Sequence, residues 1–213
     1  RCRDRREVGV IGQDGAYAAY LVTRARYVHK VPEGVSLAQA ALAEPMAVVV
    51  KGLRRLGSQS EGDRKRRCAV IGAGTIGQLA ARVLALRGHE VTVFDRESSR
   101  LGFLKGLART AESLDGLEHF EWIVEATGSQ SVLDQVLHRS ATGSTLLLMG
   151  LPYDNQPFSF ESIVAFDRSV IGTVGSSGAD FEEALRTLPL VDTAPFVQVA
   201  LPLAEFEKAW AIV

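Results

Sequence analysis

The chain contains 213 residues, of which 46% are hydrophobic and 23% are charged, and its formal net charge is −1. A chain of this length can bury a core without disulfides or metals, and two cysteines are too few for a disulfide framework. The near-neutral charge favours neither nucleic acid nor an anionic membrane as a partner. No apolar run approaches the roughly 18 residues of a membrane span and no signal peptide is visible, so we expect a cytoplasmic protein.

The first quarter of the chain is predicted to hold two strands and two helices. Residues 16–22 and 27–31 have the composition of strands. Ser36, with a glutamine three residues later, matches a capping box that opens an alanine-rich helix. Glu44 and the proline after it interrupt that helix, and because proline suits a first helical turn, a second helix is expected over 45–56.

From residue 68 onward, strands and helices alternate. Strands are predicted over 68–71, 90–95, 109–114, 121–126, 145–149 and 169–174. Helices are predicted over 76–86, from Ser98 or Ser99 to 107, over 129–139, and from a cap at Asp180 onward. Strands separated by helices indicate a parallel sheet covered on both faces. Six strands in two groups of three fit an α/β, doubly wound Rossmann sheet with the order 3-2-1-4-5-6.

A glycine-rich turn joins the first strand of this series to its helix. The segment Gly72-Ala73-Gly74-Thr75-Ile76-Gly77 matches G-x-G-x-x-G in the required strand–turn–helix context. The first glycine allows a tight turn, the second lets the backbone approach a pyrophosphate, and the third lets the helix pack closely on the strand. The segment therefore predicts a dinucleotide site at the start of the helix, where N–H groups and the dipole attract phosphate.

Asp95 ends the second strand, 18 residues beyond Gly77. A carboxylate at this place accepts a hydrogen bond from the ribose 2′-hydroxyl of NAD and repels the 2′-phosphate of NADP. Arg96 and Arg100 could instead accommodate that phosphate. The sequence favours NAD and leaves NADP open.

Three further segments follow the fourth, fifth and sixth strands of the series. Ligands of open α/β sheets bind outside the carboxyl ends of the strands, so these segments are expected to border the cofactor. They are Ala126-Thr127-Gly128, Met149-Gly150-Leu151 and Thr173-Val174-Gly175.

With these motifs in place, the chain resembles the zinc-dependent branch of the medium-chain dehydrogenase/reductase superfamily, close to its polyol, sugar and threonine dehydrogenases. The resemblance is carried by residues 12–21 (Gly-Gln-Asp-Gly-Ala-Tyr-Ala-Ala-Tyr-Leu), 43–47 (Ala-Glu-Pro-Met-Ala), 70–77, and 124–128 (Val-Glu-Ala-Thr-Gly). It implies that residues 1–44 are a remnant of a GroES-like catalytic domain with its connecting helix. Residues 45–175 would be the NAD(P)-binding Rossmann domain, and 176–213 a segment that returns toward the catalytic domain.

The resemblance also implies a function and a metal. Glu44 matches a position that binds or adjoins a catalytic zinc, and Cys2 would match a cysteine of a structural zinc loop. Met149, Gly150, Thr173 and Gly175 would border the nicotinamide half of the cofactor, and Val48 could also touch it. The remaining zinc ligands and the proton relay would precede Arg1, so no catalytic residue is assigned within the chain, which we expect to be part of a longer protein. The alternative is that Glu44 is an acid that stabilises the start of the second helix through the helix dipole.

These observations predict the cofactor half of an oxidoreductase that transfers a hydride between NAD, or NADP, and an alcohol, polyol or sugar hydroxyl. One alternative is a zinc-free enoyl or quinone reductase of the same superfamily, although such proteins have no use for Glu44. Another is a nucleotide-binding module without catalysis inside a larger protein. The resemblance further implies a homodimer that pairs through the sixth strand of the sheet, whose exposed edge needs protection.

Overall fold

The computed structural model describes residues 4, 6–58, 64–151 and 160–212. The chain divides into two compact units. The terminal unit consists of residues 1–30 and 197–213, and the sheet unit consists of residues 31–196.

The strands are β1 (Glu7–Val8) and β2 (Gly12–Gln13) in the terminal unit, and β3 (Arg67–Ile71), β4 (Glu90–Phe94), β5 (Arg109–Ala111), β6 (Trp122–Glu125), β7 (Thr145–Leu148) and β8 (Ser169–Gly172) in the sheet unit. The helices of the sheet unit are α1 (Leu37–Ala40), α2 (Ala43–Gly57), α3 (Thr75–Leu86), α4 (Ser98–Leu101), α5 (Gln130–Arg139), α6 (Glu161–Val164) and α7 (Gly178–Thr187). Helix α8 (Phe206–Ile212) belongs to the terminal unit.

The sheet unit contains one six-stranded parallel sheet with the order β5-β4-β3-β6-β7-β8. Numbered within the sheet, this is 3-2-1-4-5-6, which confirms the predicted doubly wound fold. Ile71 lies beside both Phe94 and Glu125, so β3, β4 and β6 end at the same level. The turns that follow these strands therefore meet at one edge of the sheet, its carboxyl edge.

Each face of the sheet has its own apolar core. On one face, α2, α3 and α7 pack through side chains such as Met46, Leu79 and Leu185, all of which are buried. On the other face, α5 packs its buried Val136 and Leu137 against the sheet. Burial on both sides explains why the strands read as nearly continuous apolar runs.

The N-termini of α1, α2 and α7 are fixed by hydrogen bonds and residue types close by in the sequence, and one of the two predicted caps is confirmed. The capping box at α1 is confirmed, because the Gln39 N–H donates to the Ser36 hydroxyl over 3.1 Å and the Gln39 side chain accepts from the Ser36 N–H. Helix α2 starts at Ala43, so Glu44 lies inside its first turn. The predicted cap at Asp180 is wrong: Ser177 is the N-cap, and the Asp180 carboxylate completes the box by accepting from the Ser177 N–H over 2.7 Å.

Helix α4 also differs from the prediction. Its N-cap is Glu97, and neither Ser98 nor Ser99 caps it. The reason is that Asp95 accepts from the Glu97 N–H over 2.9 Å, which turns the chain into the helix one residue early. The helix ends at Leu101 and continues only as a 3-10 turn.

The strands predicted over 16–22 and 27–31 are wrong. These residues adopt bends, extended chain and the 3-10 turn Ala25–Tyr27. A strand needs a neighbour to satisfy its backbone, and in the described part of the terminal unit only β1 and β2 pair, over two residues each. The composition favoured strands, but the described residues of this unit offer no neighbouring strand with which they could pair.

The sheet unit includes residues 31–44 and 176–196, which the sequence analysis placed in flanking segments. They belong to it because α2 and α7 pack on the same face of the sheet. The assignment of the flanking segments to a catalytic domain stays a prediction. Among the described residues, no helix combines the length and apolarity needed to cross a membrane.

Candidate functional site

Two glycines of the turn after β3 are required by the fold itself. Gly72 has a φ of +98°, and a Cβ there would lie 2.9 Å from the Thr127 Cγ2 atom. A Cβ on Gly77 would overlap the carbonyl group of Gly72. The turn and the first turn of α3 are therefore too close for any side chain at either position.

Gly74 is different, because nothing in the described part of the chain requires it to be a glycine. Its φ is −72°, and apart from its two chain neighbours no atom of the described residues lies within 4 Å of a Cβ built on it. Gly74 is exposed, and as the N-cap of α3 it provides no side-chain hydrogen bond to the first turn. The arrangement leaves open space directly at a helix N-terminus, which is the geometry that binds phosphate through backbone N–H groups.

Asp95 is held beside this turn by two backbone donors. Its Oδ2 accepts from the Ala73 N–H over 2.6 Å, and its Oδ1 accepts from the Glu97 N–H over 2.9 Å. Because an ionised carboxylate has about four acceptor positions, two remain for another donor such as a ribose hydroxyl. Asp95, Gly72 and Gly74 line one cavity of about 600 Å³ at the carboxyl edge.

Arg96 and Arg100 also line this cavity. The Arg96 side chain is 91% exposed, and its Nε lies 3.8 Å from the Glu97 carboxylate. Both arginines therefore lie at the solvent side, while Asp95 is half-buried and fixed.

Glu125 is a buried acid that the sequence analysis did not single out. It is 3% exposed at the end of β6. Its carboxylate accepts from the Thr127 N–H over 2.6 Å, from the Thr127 hydroxyl, and from the Gly128 N–H over 3.2 Å. An acid at the end of the apolar run Trp122–Val124 was the available signal, because a buried charge needs donors close by.

The turns after β6 and β7 interlock above Glu125. Gly128 has a φ of +68°, and a Cβ there would lie 3.1 Å from the Leu151 nitrogen. A Cβ on Gly150 would overlap the Gly128 nitrogen and crowd the Glu125 carboxylate at 2.6 Å. Two of the three segments predicted to border a cofactor are thus packed against each other, backbone to backbone.

The third segment lies beside α2. A Cβ on Gly52 would come within 3.2 Å of the Thr173 Cγ2 atom and 3.3 Å of the Met149 Cε atom. The Thr173 hydroxyl is buried and has no hydrogen-bond partner among the described residues. Val48, one turn before Gly52, is half-buried. Met149 and Thr173 therefore lie together against this face of α2. Both are among the residues that were predicted to border the nicotinamide half of a cofactor.

The two predicted metal positions are Glu44, for a catalytic zinc, and Cys2, for a structural zinc. Glu44 lies in the first turn of α2, and its partial desolvation raises the pKa of its carboxyl above the ordinary value. Cys2 lies outside the described residues. Within the described ranges, no three His, Cys, Asp or Glu side chains are grouped so as to hold a metal ion. These residues alone do not fit a zinc site, and the role of Glu44 stays a prediction.

Comparison with known proteins identifies the family. Residues 37–212 match the family model of the glucose dehydrogenase C-terminus. The chain therefore belongs to this family, and its resemblance to sugar and polyol dehydrogenases of the medium-chain superfamily is confirmed.

Individual relatives agree with this assignment. The chain is 34% identical over 196 residues to glucose 1-dehydrogenase 2 of Vulcanisaeta moutnovskia, a match that covers 85% of this chain and 56% of the relative. It is 31% identical over 207 residues to D-altritol 5-dehydrogenase of Agrobacterium fabrum, covering 92% of this chain and 61% of the relative. The chain thus spans less than two thirds of these relatives.

A solved structure with the same fold is the glucose dehydrogenase of Haloferax mediterranei in complex with NADP, zinc and gluconolactone. The TM-score is 0.74 at 21% identity, and the match covers 88% of this chain and 58% of that one. At this identity the likeness shows the fold only.

Proposed function

We propose that this chain is the nicotinamide-dinucleotide-binding half of a dehydrogenase that acts on a hydroxyl group of a sugar or polyol. The observation that carries the proposal is Gly74. No contact among the described residues needs a glycine there, and the space beside it opens at a helix N-terminus without a side-chain cap, in the same cavity as Asp95. A ligand with a pyrophosphate next to a ribose accounts for both features.

Different residues of the carboxyl edge would bind different parts of the dinucleotide. The N–H groups at the start of α3 would hold the pyrophosphate, and Asp95 would accept from the ribose hydroxyl. The interlocked turns at Gly128 and Gly150 would form a rigid floor under the middle of the dinucleotide. Met149, Thr173 and Val48 would line the nicotinamide end. When bound, the nicotinamide ring would accept the hydride from the substrate or donate one to it.

The choice between NAD and NADP rests on Asp95. Its two backbone hydrogen bonds keep it from swinging away, so a 2′-phosphate would meet a fixed negative charge. Arg96 is exposed and close to the Glu97 carboxylate, which weakens its attraction for a phosphate. NAD is therefore the proposed cofactor, although the Haloferax glucose dehydrogenase was solved with NADP.

The substrate class comes from the relatives, which are named as glucose and altritol dehydrogenases. These names favour a sugar or polyol over the enoyl and quinone substrates of the zinc-free alternative. We also propose that Glu44, and Cys2 in the structural loop, contribute to zinc binding in the complete protein. The described residues alone do not form a site for zinc.

A parallel titration with NADH and NADPH, followed by nicotinamide fluorescence, tests the cofactor proposal. We expect NADH to bind at least about tenfold more tightly than NADPH, since a fixed carboxylate facing a phosphate costs on the order of 1.4 kcal/mol or more. Tighter binding of NADPH would mean that Arg96 or Arg100 binds the 2′-phosphate and outweighs the repulsion by Asp95. Binding of neither nucleotide would overturn the proposed function. Turnover of a sugar by the intact protein would exclude the module without catalysis.

We further propose a cytoplasmic homodimer. In the described sheet, β8 is an outermost strand that pairs only with β7, and a second copy could extend the sheet from its free edge. Light scattering at micromolar concentration should give twice the mass of one chain. The mass of a single chain would contradict the proposed dimer. Recovery of the protein in the membrane fraction of lysed cells would contradict the proposed cytoplasmic location.

A further inference from the structure

One face of α2 packs against the carboxyl end of β8. Arg55 lies on the same side of the helix as Lys51, four residues before it, and as Gly52, three residues before it. The helix backbone at Gly52 lies close to Thr173, the residue that follows the strand. Arg55 donates to the carbonyl oxygen of Gly172, the last residue of β8. The helix therefore touches the strand exactly where the chain leaves the sheet.

Lys51 continues this contact into the loop between β8 and α7. Its ammonium group donates to the carbonyl oxygens of both Val174 and Gly175, each over 2.9 Å. Gly175 adopts the left-handed conformation with a φ of +64°, and Val174 is 44% exposed. A single side chain thus holds two consecutive peptide groups of a loop that the sheet no longer supports.

The planarity of the peptide bond gives this contact a consequence for ligand binding. In a trans peptide, the carbonyl and the following N–H point in opposite directions, and no peptide bond in the described chain is cis. When Lys51 pulls the Val174 and Gly175 carbonyls toward α2, the N–H groups of Gly175 and Ser176 must point away from α2. The loop then presents oriented donors at the carboxyl edge.

We propose that Lys51 is a positioning residue for the nicotinamide end of the cofactor. By holding the Val174 and Gly175 carbonyls, it orients the N–H groups of this loop as donors for the carboxamide oxygen of the nicotinamide. The inference rests on the proposed function, because it needs a dinucleotide in the cavity at the carboxyl edge. Lys51 does not touch the cofactor and acts only through the loop.

The test compares two ligands that differ by the nicotinamide. ADP-ribose carries the pyrophosphate and both riboses but no nicotinamide, whereas NADH carries all of these groups. In the intact protein, Lys51→Met should weaken NADH binding roughly tenfold, the effect of losing about one hydrogen bond between a loop N–H group and the carboxamide oxygen. The affinity for ADP-ribose should change less than about twofold, since the pyrophosphate and ribose contacts are untouched. Lys51→Arg, which keeps a cationic donor, should restore most of the NADH affinity.

Arg54→Met is the matched control on the same helix. Arg54 pairs with Asp180 over 2.5 Å and with Glu183 over 2.9 Å on α7, and among the described residues its side-chain hydrogen bonds go to these two acids and not to the carbonyls of Val174 and Gly175. It should lower the free energy of unfolding but leave the ratio of the two ligand affinities unchanged. Hydrogen exchange at residues 174–176 of the ligand-free protein should be faster in Lys51→Met than in Arg54→Met.

The outcomes separate the two proposals. If the wild-type protein binds neither ligand, the proposed function fails and this inference falls with it. If the wild-type protein binds both, and Lys51→Met weakens both equally or neither, the cofactor proposal stands and the role of Lys51 is wrong. Failure of Lys51→Arg to restore NADH affinity would also count against it. Only a selective loss of NADH affinity supports a positioning role.

Discussion

The two ends of the parallel sheet carry cavities of similar size but opposite character. The cavity at the carboxyl edge has a volume of about 600 Å³, and one at the amino end, lined by Arg64, Arg66 and Glu121, has about 520 Å³. At the amino end the charges satisfy one another. Glu121 pairs with both Arg64 and Arg66, and the Arg66 guanidinium lies 5.0 Å above the centre of the Trp122 ring.

The carboxyl edge instead contains features that the protein leaves unused. Gly74 has open space where a side chain would fit, α3 has no side-chain cap, and Asp95 has acceptor positions to spare. The difference teaches that volume and charge do not identify a binding site. A site is recognised by groups whose presence the folded chain alone does not explain.

The largest expected effect distinguishes a glycine that the fold requires from one that it does not. Gly77→Ala should lower the free energy of unfolding by about 3 kcal/mol or more, because its Cβ overlaps the Gly72 carbonyl and the backbone must shift. Urea denaturation measures this. Gly57→Ala is the control, since no neighbour among the described residues lies within 4 Å of a Cβ there. Equal stability of the two variants would show that the turn is looser than the structure indicates.

Gly74→Ala should separate binding from stability at the carboxyl edge. Its stability should stay within about 0.5 kcal/mol of the wild type, since the new methyl group has no close neighbour in the part of the chain that the structure describes. NADH affinity should fall roughly tenfold or more, because the methyl group occupies the space that the pyrophosphate needs. Isothermal titration beside urea denaturation measures both. An unchanged NADH affinity would remove the main support for the proposed function.

Glu121→Gln should have the reverse effect at the amino end. Arg66 is only 9% exposed there and would lose its carboxylate partner at 3.2 Å. We expect a loss of about 1 kcal/mol in the free energy of unfolding, because the pair is partly screened by solvent. NADH affinity should not change. A change in NADH affinity would mean that the two ends are coupled, and the comparison would no longer hold.

The smallest effect concerns pH at the same end. Burial, and then the charges of Arg87 and Arg66, lower the pKa of His89, whose Nδ1 accepts from the Arg66 N–H over 3.3 Å. Below the ordinary pKa near 6.5 the unfolded chain takes up this proton more readily than the folded chain, so stability falls as the pH falls through this range. NMR titration of His89 should show the lowered value. His89→Gln should flatten this part of the pH dependence of unfolding, and an unchanged profile would contradict the assignment.

Much of the site was predictable because its signals are local. The turn at 72–77 and Asp95 lie within 24 residues, and the strand before the turn and the helix after it each have a clear apolar pattern. The order of the six strands followed from their alternation with helices. The capping box at Ser36 also depends on residues only three positions apart.

Other features depend on partners far along the chain. Glu125 could be noticed as an acid in an apolar run, but its donors on Thr127 and Gly128 are settled by the interlocked turns. Lys51 meets the loop at Val174 across 123 residues of sequence, and no spacing rule connects them. The strands expected over 16–22 failed for a related reason, since composition cannot supply a neighbouring strand.

The sequence by itself determined the sheet, the glycine turn and the acid after the second strand. Each of these arises from periodicity or from conformational limits that act over a few residues. Only the tertiary structure decided which glycines the fold requires, which charges are already paired, and how α2 holds the loop after β8. Those outcomes depend on atoms that meet only when distant segments pack, and close packing leaves no room for alternatives.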